Sequence, residues 1–110
     1  MTTYLSRKRY EAIQHRIYES IARVPFYMDR LRDVNTRTIE EETGLSYDDS
    51  YELASKLGDK FVEKSRMLLE LELEEYIDYT DLTEIFIREL HKVLSRDLYK
   101  IISEKCQIVF

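Results

Sequence analysis

Residues 81–102 read DLTEIFIRELHKVLSRDLYKII. Leu82, Ile85, Phe86, Leu90, Val93, Leu94, Leu98, Ile101 and Ile102 recur at steps of three and four, the spacing of one face of a helix. Asp81-Leu-Thr-Glu84 has the form of a capping box, with aspartate in the Ser/Thr place. The stretch predicts an amphipathic helix of about six turns. A stripe that long needs other helices to cover it.

Upstream, the chain supplies them. Ser46 can cap a long third helix, with Asp48 and Asp49 in its first turn, where carboxylates meet the positive end of the helix dipole. Leu53, Leu57, Phe61 and Leu68 make one stripe on it; Val62, Leu69, Leu73 and Tyr76 make a second. A helix apolar on two sides belongs in the middle of a bundle. Gly58 lies within it and allows a close crossing or a kink. Residues 69–74 alternate Leu and Glu with a strand period, but Leu and Glu form strands poorly and the flanks are helical.

A first helix spans about Arg7–Arg23, capped by Ser6, with Tyr10, Ile13, Ile17, Ile21 and Val24 on one stripe. Pro25 ends it and starts a second helix over about Pro25–Asp33, carrying Phe26, Met28 and Leu31. Residues 35–46 read as the least regular part, with a short helix over Arg37–Glu42 closed by Gly44. The end, Cys106-Gln-Ile-Val-Phe110, is apolar and strand-like. It either packs back, pairs with another chain, or marks a cut.

Composition agrees. Two glycines and one proline in 110 residues are too few for the turns of a sandwich or barrel. The expected fold is all-α: a bundle of about four helices with long third and fourth helices and a short strand-like tail. It forms one domain over residues 1–110, either whole or cut from a longer protein. Apolar residues, at 44%, are enough for a core, which excludes disorder. No run approaches a membrane span, and the N-terminus lacks the apolar core of a signal peptide. The single cysteine, Cys106, cannot close an internal disulfide, so a reducing, cytoplasmic setting is expected.

The charge is unevenly placed. Residues 1–37 carry eight Lys/Arg against four Asp/Glu, whereas the whole chain carries 17 against 22, a net charge of −5. Either the basic first helix pairs with later acids, or the two signs serve two partners. Nucleic acid is disfavoured by the net charge, but the first helix offers Arg7, Lys8, Arg9, Arg16 and Arg23 to phosphates. Residues 39–53 look like a helix-turn-helix with Gly44 at the turn, yet the would-be reading helix presents Tyr47, Asp48, Asp49, Tyr51 and Glu52. Acids there repel a phosphate backbone.

Catalytic signals are weak. No Gly-rich phosphate loop or Cys/His cluster occurs. Glu11, His15 and Glu19 share a face but read as solvated. Arg9 and His15 stand at a spacing like that of HEPN ribonucleases, a local match only. No metal, cofactor or small-molecule ligand is expected. Nine tyrosines without tryptophan are more than a core of this size can hold. Tyrosine and arginine are enriched where proteins meet, so Tyr10, Tyr18, Pro25, Phe26, Tyr27 and Leu31 are the expected partner-binding residues, for a protein partner or a second copy.

Ile21-Ala-Arg-Val-Pro-Phe-Tyr27 resembles the signature of the helical domain of GINS replication subunits. The helix containing Phe61–Leu69, with Arg66 in the arginine place, is similar to a second family motif, although its lysine and isoleucine are not matched. Thr80-Asp-Leu-Thr-Glu84 is similar to the start of the family's last helix. The resemblance spans about residues 8–103. It implies a non-enzymatic scaffold that assembles into a tetramer and ties the replicative helicase to other fork factors. The alternatives are a helix-turn-helix-like nucleic-acid-binding regulator, or a small inhibitor or adaptor, viral or otherwise, docking on a host enzyme.

Overall fold

The computed structural model describes residues 3–23, 28–75 and 79–109, and within them all side chains but those of residues 28, 29, 65, 68, 69, 71–75, 79–83 and 86. Strand β1 (Thr3–Ser6) leads into helix α1 (Arg7–Arg23), then α2 (Met28–Thr43), α3 (Tyr47–Glu75), α4 (Tyr79–Ile102) and strand β2 (Cys106–Val109). The fold is the all-α bundle that the apolar stripes require. Residues 69–74 continue α3 as helix. The Val24–Pro25 break lies outside the described residues.

The core is built from the stripes. Tyr10, Ile13, Ile17 and Ile21 of α1 meet Leu53, Leu57 and Phe61 of α3 and Leu90, Leu94, Leu98 and Ile102 of α4. Leu31 and Ile39 add the contribution of α2, which packs chiefly on α3 and α1. Capping follows the sequence. The Ser6 hydroxyl accepts the Arg9 N–H and the Ser46 hydroxyl accepts the Asp49 N–H, each at 3.2 Å. Gly44 takes φ +76° and donates its N–H to the Glu40 carbonyl at 3.0 Å, the left-handed helix ending that glycine permits.

Two details differ from expectation, and a third decides between the readings of the tail. α2 runs unbroken through the stretch read as irregular. Its polar residues Asn35, Thr36 and Thr38 are buried, and Thr36 and Thr43 donate their hydroxyls to carbonyls one turn back, at 2.7 and 2.5 Å. The hydroxyls thus find partners without leaving the helix. Gly58 marks no close crossing, because a Cβ built there meets nothing within 4 Å. The apolar tail packs back: β2 pairs in parallel with β1, Thr3 opposite Cys106 and Leu5 opposite Ile108. A two-stranded pair is marginal alone; here buried Leu5 and Cys106 anchor it to the core.

Candidate interaction surface

Part of the charge asymmetry resolves within the chain: two arginines of α1 meet acids of α2. The acidic end of α2 faces the basic side of α1. Arg16 donates through Nη1 to Glu42 at 3.1 Å and through Nη2 to Glu41 at 2.8 Å. Arg9 donates to the other Glu42 oxygen at 3.1 Å. Arg7 pairs with Glu11 on its own helix at 3.0 Å. Of the basic residues considered for nucleic acid, Lys8 and Arg23 stand exposed at opposite ends of α1. Five charges read as one patch are therefore two engaged arginines, one helix-surface pair and two distant cations. His15 bonds Glu19 at 2.9 Å, while Arg9 is turned to Glu42, so the two do not converge.

The expected partner residues also separate. Tyr10 is 5% exposed and Leu31 is 1% exposed. Their surface is taken up inside the chain, because both sit on core stripes. The Tyr10 ring meets Tyr99 edge-on at 5.9 Å, and burial, then the adjacent Tyr99, push its hydroxyl above the ordinary tyrosine value. Tyr18 is exposed and packs edge-on against His91 of α4 at 4.7 Å. Pro25, Phe26 and Tyr27 lie outside the described residues.

A different tyrosine cluster faces outward. Tyr47 and Tyr51, one turn apart at the start of α3, stack with centroids 6.1 Å apart. The Arg32 guanidinium of α2 lies 5.5 Å from the Tyr51 centroid, within cation–π range. Tyr47 is 59% exposed and Tyr51 is 38%. Their four-residue spacing at a capped helix start was readable in the sequence; their pairing with Arg32 depends on how α2 packs on α3. Behind this cluster, Lys105 bonds Glu52 at 2.8 Å and reaches Asp49 at 3.4 Å. The Lys105 hydrogen bond draws the Glu52 carboxyl below its usual range. These pairs fix the first turns of α3 against the chain's C-terminal turn.

The remaining chemistry is sparse. No group of three His, Cys, Asp or Glu side chains among the described residues could hold a metal. Cys106 is buried, and desolvation raises its thiol pKa, which disfavours the reactive thiolate. No described helix is long and apolar enough to cross a membrane. A depression of about 150 Å³ lies between α3 and α4 among charged side chains. Comparison with protein-family models, with curated proteins and with solved structures found no match to this chain.

Proposed function

We propose that this chain is a non-enzymatic helical interaction subunit that holds a protein partner on the Tyr47–Tyr51–Arg32 cluster. One observation carries the reading: two stacked, exposed tyrosines flanked by an arginine, set on the capped start of a long helix. Stacked rings lose little side-chain freedom on binding, bury large areas and keep polar tips, so such clusters concentrate binding energy. The engagement of Arg9 and Arg16 by Glu41 and Glu42 weighs against the nucleic-acid reading. The GINS-like replication scaffold is the sharpest version of the proposal and rests on the sequence motifs.

The test is affinity capture with the tagged full chain and with Tyr47→Ala/Tyr51→Ala. The expected result is one partner in stoichiometric amount, lost from the double variant while its melting temperature stays within a few degrees. Replication-helicase components in that fraction support the scaffold version. A partner retained by the variant, or nucleic acid alone released by salt, overturns the proposal.

A further inference from the structure

Strand β2 has a neighbour on one edge only. Among the described residues the sheet is two-stranded, so each strand directs half of its backbone N–H and C=O groups away from the other. β1 lies against both α1 and α2, and β2 lies against α1. Beside β2 is a depression of about 610 Å³, framed by Tyr99 and residues 103–108. No β1 residue lines it, which places it on the side of β2 away from β1.

Proteins guard an open edge with charge, proline or a bulge. β2 carries none of the three. Cys106-Gln-Ile-Val109 has no charged residue and no proline, in a chain that is 35% charged, and its register with β1 is unbroken. Its side chains alternate: Cys106 is buried and Ile108 packs against the core, while Gln107 and Val109 are exposed.

We infer that the open edge of β2 takes the β2 strand of a second copy, running antiparallel, so that the two sheets join as one of four strands. Residues directly opposite in an antiparallel pair share a face of the sheet. A two-fold axis through Gln107, perpendicular to the sheet, therefore sets Cys106 of each copy opposite Ile108 of the other on the core side. On the outer side it sets the two Gln107 side chains opposite each other. A glutamine amide both donates and accepts, so it bonds its own copy across such an axis. The strand that fits this edge is apolar toward the core and uncharged outward, which is the pattern of β2 itself. The rim charges favour the same occupant. Glu104 is engaged by Lys56 and Lys105 by Glu52, so the groove offers a charged segment little, and two copies meet without like-charge repulsion. The same patch serves on both subunits, and the arrangement closes as a dimer. Four strands also hold better than two, which are marginal alone. The contact is short, with four strand residues from each copy, and buries far less than the ~800 Å² per partner of a standard interface. The dimer is therefore weak, with a dissociation constant of roughly 100 µM. The inference goes beyond the Tyr47–Tyr51 reading and uses none of its residues, so either fails without the other.

Sedimentation equilibrium of the untagged full chain, between about 10 and 300 µM, tests it. The weight-average mass should rise from the 13.3 kDa of the chain toward twice that value. Gln107→Lys and Gln107→Glu each set like charges across the axis and should weaken association about five-fold or more. An equimolar mixture of the two should recover it, because opposite charges then meet. Tyr4 stands opposite Gln107 in the register but on β1, so Tyr4→Lys should associate like wild type. Circular dichroism checks that each variant is folded. Hydrogen exchange on the wild type gives a reading that needs no variant: the amides of residues 106–109 should be better protected at 300 µM than at 10 µM, by about the factor that 100 µM affinity implies. A wild-type chain that stays monomeric, with exchange independent of concentration, overturns the inference. So do folded Gln107 variants that associate like wild type, a mixture as weak as its components, or a Tyr4→Lys protein that dissociates as they do.

Discussion

Glu42 holds two arginines of the neighbouring helix at once: its Oε2 accepts from Arg9 and its Oε1 from Arg16, each at 3.1 Å. The Glu42 side chain is only 13% exposed, so its charge is poorly served by water and well served by the two guanidiniums. Glu41, more exposed, holds Arg16 alone among the described residues. Glu42→Gln should therefore cost about 1 kcal/mol, the upper end for a partly exposed pair, and Glu41→Gln less. A urea melt at low salt should resolve the difference, and 0.5 M salt should shrink it. Equal losses at both positions would mean that Glu42 does not bridge the helices in solution.

The two glycines should respond in opposite directions. Gly44 sits at φ +76°, where an L side chain crowds its own backbone, so Gly44→Ala should destabilise by about 1 kcal/mol. Gly58 lies inside α3, where a Cβ meets nothing within 4 Å. Gly58→Ala should stabilise by about 0.5–1 kcal/mol, because alanine has less freedom to lose on entering a helix. Thermal melts of the two variants check both signs. A stabilised Gly44→Ala would show that the α2–α3 turn does not need the left-handed conformation.

Much of this architecture is legible in the residues. The stripes of α1, α3 and α4, the Ser6 and Ser46 caps and the Gly44 ending are local signals, and local signals are what a single sequence carries. α2 reads as two pieces because the acidic run Glu40–Glu42 and then Thr43-Gly44 follow its apolar first half. Packing of α2 on α3 and α1 holds the whole stretch helical, and no local spacing encodes that. β1 escaped for a related reason: four residues are too few to show alternation, and their partner lies a hundred positions away. Of the proposed site, the exposure of Tyr47 and Tyr51 was legible. Their contact with Arg32 was not, since it depends on the packing of α2. The burial of Tyr10 was signalled by its place on the Ile13–Ile17 stripe, against the general tendency of tyrosine to sit at boundaries.

The pairing of β1 with β2 ties the two ends of the chain together, and Cys106 reports on it. Leu5 is buried at 2% exposure, opposite Ile108 in the strand register. Cys106 lies opposite Thr3, with its thiol pushed above the ordinary 9.0 by burial. Leu5→Ala removes the anchor of β1 and should cost about 2–4 kcal/mol. If that loss falls on the opening of the strand pair, the open population rises about thirty-fold or more. The rate at which Cys106 reacts with an aromatic disulfide reagent at pH 8 should rise by a similar factor, while far-UV circular dichroism stays helical. The same burial gives a pH dependence. The unfolded thiol ionises near its ordinary value while the folded thiol remains protonated, so its contribution is complete below pH 9 and is lost as pH rises above it. Tyr10, also raised by burial, acts in the same direction at higher pH. Stability should therefore decline on the alkaline side, with a shallower slope in Cys106→Ala. A Leu5→Ala protein whose thiol stays as protected as the wild type would show that the strand pair holds without its buried leucine.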